Sequence, residues 1–120
     1  MHSTPLLAYS STINTEAFEP YIEDGVRLGD VHWIRRDYED GEPNLLIGIM
    51  RANANELPEA FEYEWAFHET IQVIEGQLEV EVIDGPTVLL RPGDIGSFRK
   101  GGRAVFRATA PYKQFFIMHP

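Results

Sequence analysis

"FEYEWAFHETIQVIEG", residues 61–76, is the stretch on which the fold turns. Aromatic residues stand at Phe61, Tyr63, Trp65 and Phe67, with Glu62 and Glu64 between the first three. Successive side chains of a strand point to opposite faces, so this period of two predicts one apolar face and one solvated face. A His68-Glu69 pair follows, then an apolar run that closes at Gly76. Outward in both directions the same period persists between turn-forming clusters. It predicts strands over Arg27–Tyr38, Asn44–Asn53, Ala60–Phe67, Thr70–Gly76, Gln77–Gly85, Thr87–Asp94, Ile95–Gly102, Ala104–Pro111 and Lys113–His119. "DGEPN", "DGP", "RPGD" and "KGG" separate them, and their Gly, Pro, Asp and Asn supply the backbone angles of turns. Many short strands at near-regular spacing predict an all-β protein closed into a barrel or sandwich.

Residues before about Val26 lack this periodicity. "NTEAFEPYIED" suits a helical turn or a segment lying across a sheet. The expected organisation is an N-terminal extension, residues 1–26, packed on the barrel or on a partner, followed by one barrel domain over 27–120. A chain of 120 residues with 43% hydrophobic content buries roughly two thirds of its unfolded surface, enough for one core.

Charge and composition narrow the function. Nineteen acidic residues against ten basic give a net charge of −9, which disfavours phosphate backbones and anionic lipid; neither nucleic acid nor membrane is an expected partner. The absence of cysteine excludes disulfides, zinc ribbons and thiol nucleophiles. "MHSTPLLAYSST" lacks the basic flank and apolar length of a secretory signal, and no stretch reaches the roughly 18 apolar residues of a membrane span, so a cytoplasmic location is expected. There is no Gly-rich phosphate loop, no serine in a recognisable nucleophile elbow and no H-E-x-x-H helix.

From Phe61 onward the order of signals resembles the cupins, small barrels of the double-stranded β-helix or jelly-roll type in which two motifs face each other across a pocket. Glu69, six intervening residues and Gly76 match the acidic end of the first motif, and "RPGD", Arg91 to Asp94, resembles the sharp turn before the second. In "RKGGRAVFRA", Gly101 occupies the second motif's glycine, while Arg99, Ala104 and Ala108 stand where its proline, histidine and asparagine are usual. The F-x-Y-x-W run, "VIEG", "RPGD" and Lys113 in "PYKQFFI" are similar to the small single-domain cupins related to ethanolamine-utilisation and ureidoglycine aminohydrolase proteins. The resemblance implies a fold with a ligand pocket. It does not bring over hydrolytic chemistry, because the metal-binding pattern of the aminohydrolase members is not reproduced.

In cupins three histidines and the glutamate hold a divalent metal, and none of those histidines is present. Two registers remain, since a shift of one residue exchanges the whole inward-facing set. One gathers Glu62, Glu64 and Glu69 into a carboxylate site, which costs several kcal/mol of hydration per group unless an oxygen-loving ion is bound. The other buries Phe61, Tyr63, Trp65 and Phe67, each contributing about 1.5 to 3 kcal/mol, and leaves the acids in water. The balance favours the aromatic register and a pocket with no metal, a divalent ion being the alternative.

The candidate site follows. Glu69 is read as an inward carboxylate at the pocket floor, against an exposed strand end. Lys113 is placed inward with Phe115 and Ile117 by parity and paired with Glu69 as a proton donor or clamp, against a solvated lysine. Tyr63, Trp65 and Phe106 are expected to line the pocket and stack on a flat or sugar-like ligand, against ordinary core aromatics. His68 falls on the face opposite Glu69, and His32 reads as barrel wall or dimer contact. Basic "RKGGR", Arg99 to Arg103, is a solvated turn or a gate for an anion. The expected function is the binding of a small organic molecule without metal, with isomerase- or lyase-type chemistry through Glu69. Its rivals are a metalloenzyme using Glu62, Glu64, Glu69 or His68, and a metabolite sensor without catalysis. "LLIGIM", Leu45 to Met50, is apolar on both faces and predicts a homodimer.

Overall fold

The computed structural model describes residues 18–23 and 25–120, so residues 1–17 and 24, with His2 and most of the expected extension, lie outside the described residues. The chain runs β1 (Glu19–Glu23), β2 (Val26–Glu39), β3 (Glu42–Ala52), β4 (Phe61–Glu64), β5 (His68–Val82), β6 (Thr87–Leu90), β7 (Ile95–Phe98) and β8 (Arg103–His119), with no helix among the described residues. All pairings are antiparallel. The all-β jelly-roll expectation holds.

Two long strands bind the barrel together. The first part of β8 pairs with β4 on one side and with the end of β5 on the other; its second part pairs with β3 and with the start of β5. β5 continues outward to β6 from its end and to β7 from its start. One wall is therefore β4-β8-β5-β6, the other β1-β2-β3-β8-β5-β7, and β5 and β8 pass through both.

The sequence predicts a break in each of these strands, at Gly76 and at Pro111, and the structure instead carries both through. Register shifts flank Glu75, as expected of a bulge that bends a strand from one wall into the next. Gly76 makes the bend possible. Its φ is +79°, and a Cβ there would lie 2.3 Å from the Thr109 carbonyl oxygen and 2.6 Å from that of Pro111, a close approach only glycine permits.

"RPGD" forms the expected turn. The Asp94 N–H donates to the Arg91 carbonyl and the Asp94 carboxylate accepts from the Arg91 N–H, both at 2.8 Å. β1 was not expected as a strand; it is an edge strand on β2, and thus part of the 1–26 segment belongs to the sheet.

Opposed residues of antiparallel strands share a face, which identifies the interior. Trp33, Gly48 and Phe116 form one row across β2, β3 and β8, and Ile71 of β5 meets Phe116. A Cβ on Gly48 would sit 2.9 Å from the Phe116 ring; glycine here makes room for that ring. On the other wall Phe61 opposes Phe106, which opposes Val80. Ile71, Val73 and Val80 are at most 1% exposed and form the centre of the core.

Candidate functional site

Parity in β4 follows the aromatic register. Tyr63 is half-buried and Trp65 is 2% exposed, while Glu62 and Glu64 are exposed. Their rings pack as a cluster: Tyr63 stacks on Phe106 at 5.2 Å, and Phe61 meets Phe106 edge-on at 5.4 Å. Such pairs add about 0.5 to 1.5 kcal/mol each beyond area burial.

A narrow slot lies against this cluster. Its cavity volume is about 40 Å³, and it is open at one end. Phe61, Tyr63 and Phe106 form one side, Met50, Ile71 and Phe116 another, and Tyr21, Glu69, Tyr112 and Gln114 supply the polar groups. The slot adjoins an open vestibule of about 780 Å³ that shares Leu28, Phe61 and Tyr63 and adds Glu23, Glu62, Glu64 and Lys100.

Glu69 is the slot's carboxyl group, 6% exposed. One of its oxygens accepts the Trp65 indole N–H at 3.0 Å; the other has no hydrogen-bond partner among the described residues. Burial pushes the Glu69 carboxyl up to about 7, with the Trp65 bond pulling it down and the charge of Glu23 adding to the rise. Neutral and ionised forms therefore coexist near pH 7. Burial likewise drives the phenols of Tyr21, Tyr63 and Tyr112 above the ordinary tyrosine range, so all three stay protonated. Carboxylates reinforce this, Glu23 at Tyr21 and Glu69 at Tyr63 and Tyr112. The Tyr21 hydroxyl donates to Glu23 at 2.7 Å and that of Tyr112 to the Gln114 side-chain oxygen. The Tyr63 hydroxyl and the Gln114 amide nitrogen have no such partner among the described residues.

Trp65 serves the site from behind. It lines the vestibule rather than the slot, stacks on Phe98 at 4.6 Å and aims its N–H at Glu69. Its backbone is fixed too: the Trp65 N–H donates to Gly102 at 2.9 Å, and the Gly101 N–H donates to Trp65 at 2.8 Å. The "KGG" turn thereby sets the indole, and the indole sets the carboxyl.

The expected Glu69-Lys113 pair does not form. Lys113 opposes Arg51 of β3 and Glu75 of β5 and lies with Phe115 and Ile117 on the outside, whereas Tyr112, Gln114 and Phe116 face the slot. "KQFFIMH" is apolar at both parities, so alternation alone leaves its inward face undecided; pairing with Ala52, Met50 and Gly48 settles it. His68 also lies outside, where its Nδ1 accepts the Lys100 N–H at 3.1 Å and its ring lies 5.2 Å from that of His119. His32 is buried on the outer face of β2, with the Phe18 ring 5.7 Å away. Tyr21, Tyr112 and Gln114 were missed: the first stands before the periodic region, and the others share the ambiguous parity of the last strand.

The residue types do not suit a divalent metal. Tyr63, Trp65 and Ala104 stand at the usual histidine positions, Glu62 and Glu64 point away, and no group of three His, Cys, Asp or Glu is gathered among the described residues. One carboxyl group beside protonated phenols is a poor donor set for transition metals or for Ca²⁺.

A family model described as a EutQ-like cupin domain matches residues 57–116, which carry the aromatic cluster, Glu69 and the slot-facing half of β8. The chain belongs to the EutQ-like cupin family. Solved structures agree in fold. This cupin is 21% identical to a putative ethanolamine utilization protein Q from Salmonella typhimurium, over 87% of this chain and 94% of that one, with a TM-score of 0.58. It is 22% identical to the EutQ protein of Clostridium difficile, over 76% and 68%, with a TM-score of 0.54. A Rhizobium leguminosarum protein of unknown function is 25% identical over 75% and 81%, with a TM-score of 0.56. Among curated proteins, none matches. No helix of the described residues is long and apolar enough to cross a membrane.

Proposed function

We propose that this cupin binds a small organic molecule in the barrel slot, without a metal, and that Glu69 exchanges a proton with it. One observation carries the reading: the second Glu69 oxygen, the Tyr63 hydroxyl and the Gln114 amide nitrogen border an otherwise apolar slot and lack hydrogen-bond partners among the described residues. Polar groups left free at the wall of an apolar slot are the ones that bond and orient a complementary ligand. A carboxyl group near 7 is matched to both donating and accepting a proton at neutral pH, as isomerase- or lyase-type chemistry requires. Tyr63 and Phe106 form the wall; Trp65 is a positioning residue.

The test is a thermal-shift screen of small alcohols, carbonyl compounds and amines, followed by product analysis on every hit. Stabilisation with turnover that Glu69→Gln abolishes supports the reading; stabilisation without turnover makes the protein a sensor. A stoichiometric metal in the purified protein that hits require would overturn it.

The outer face of the wall containing β3 favours a homodimer. Ile47, Ile49, Phe115 and Ile117 are half-buried there, Ile95 is 63% exposed, and adjacent apolar side chains that are only partly covered mark an association surface. Light scattering of the purified chain should give twice the monomer mass. A monomer at micromolar concentration would exclude the dimer.

A further inference from the structure

Among the described residues the slot has one acid and no base. From β4 Glu69 is faced by Tyr63, from β1 by Tyr21 and Glu23, and from β8 by Tyr112, while β7 opposes it with Phe98. No lysine, arginine or histidine among the described residues lines the slot. Ionised Glu69 therefore lacks a counter-ion among the described residues, and an uncompensated buried charge is strongly disfavoured until a cation completes it. The rings around it attract the same sign of charge, because an aromatic face carries a negative quadrupole. At the vestibule Glu23, Glu62 and Glu64 stand against Lys100, and a surplus of negative charge around a cleft draws cations inward.

We propose that the ligand is a small organic ammonium ion, its nitrogen held by the Glu69 carboxylate beside the aromatic cluster of Tyr63 and Phe106, its apolar remainder filling the slot. This rests on the small-molecule reading above and specifies its ligand class. The tight slot limits the ligand to a few heavy atoms beyond the nitrogen. In the binding step only one proton moves: the ammonium ion keeps its own and Glu69 releases its own to bulk water as the pair forms, proton exchange with the ligand belonging to the chemical step after binding.

Three probes of nearly one shape separate the charge from the fit: isobutylamine, isobutanol and isobutyrate, titrated calorimetrically into the protein. At about pH 8 the amine should bind about tenfold or more tighter than the alcohol, and isobutyrate should not bind. At about pH 6 amine binding should release close to one proton, read from the heat in buffers of different ionisation enthalpy. Glu69→Gln, shown to be folded by cooperative melting, should lose the amine preference, leaving amine and alcohol within about threefold of each other. If the alcohol or isobutyrate binds as tightly as the amine, if no proton is released, or if folded Glu69→Gln keeps the preference, the ammonium assignment is overturned while the pocket reading stands. If none of the three binds, both fall.

Discussion

The two walls of the barrel present similar inner faces and very different outer ones. Inside, each is a continuous apolar surface: Phe61, Phe106 and Val80 on the β4 wall, Trp33, Phe116 and Ile71 on the β3 wall. Outside, the β4 wall carries a charge ladder in which the Arg107 guanidinium lies 3.1 Å from Glu79 and 3.5 Å from Glu81. The β3 wall has Ile47, Ile49, Phe115 and Ile117 in the corresponding layer. Closure of the barrel dictates what points inward. What points outward depends on whether water or protein meets it.

The largest effect should separate neighbours on β8. Phe116 is 3% exposed and meets Trp33 edge-on at 5.6 Å, so Phe116→Ala should destabilise by about 3 to 5 kcal/mol in urea unfolding. Phe115→Ala, one residue away on the outer layer, should cost less than half of that in a monomer; equal losses would mean the outer layer is as closely packed as the inner.

The next contrast is between buried and exposed acids. The Glu69 carboxyl, raised from 4.5 to about 7, holds a proton when folded that it gives up when unfolded. The stability this proton contributes is fully present below about pH 4.5 and is lost as pH rises through about 7, by a total on the order of 3 kcal/mol. Glu69→Gln should flatten that decline in denaturant titrations at stepped pH, and Glu62→Gln should leave it in place. Trp65→Phe keeps a ring against Phe98 but removes the N–H donor, and should cost about 1 to 2 kcal/mol and shift the Glu69 midpoint upward, measured by carboxyl NMR titration.

The smallest effects belong to the two exteriors. Arg107→Met should change stability by no more than about 1 kcal/mol, because both its ion pairs are water-exposed. Ile95→Asp should alter the monomer's stability by less than about 0.5 kcal/mol and weaken the proposed self-association, checked by sedimentation velocity. A large loss of monomer stability from Ile95→Asp would erase the distinction between the walls.

Much of this was legible in the sequence where charge and ring alternate. Residues 61–65 could be oriented because burying Glu62 and Glu64 is expensive and burying the rings is favourable, and the structure orients them that way. "KQFFIMH" carries no such penalty on either face, so Lys113 and Tyr112 could be placed only by pairing with β3, a contact between segments some 60 residues apart. Gly76 and Pro111 read as strand breaks because local grammar does not distinguish a turn from a bulge; the distinction lies in the backbone packed against Gly76. Tyr21 was hidden for a different reason. A five-residue edge strand, exposed at Glu19, Pro20 and Ile22, carries too little alternation to stand out.

Trp65 gives the molecule a built-in optical reporter. Its excited indole has an enlarged dipole, and the group bonded to its N–H alternates between neutral and negative at physiological acidity, so emission colour should follow the charge state of the barrel floor directly. Trp33, whose ring lies 5.5 Å from the Arg36 guanidinium, contributes a background, since its N–H does not bond Glu69. Binding of a ligand of the proposed kind should then be detectable in real time by light alone, with no label attached.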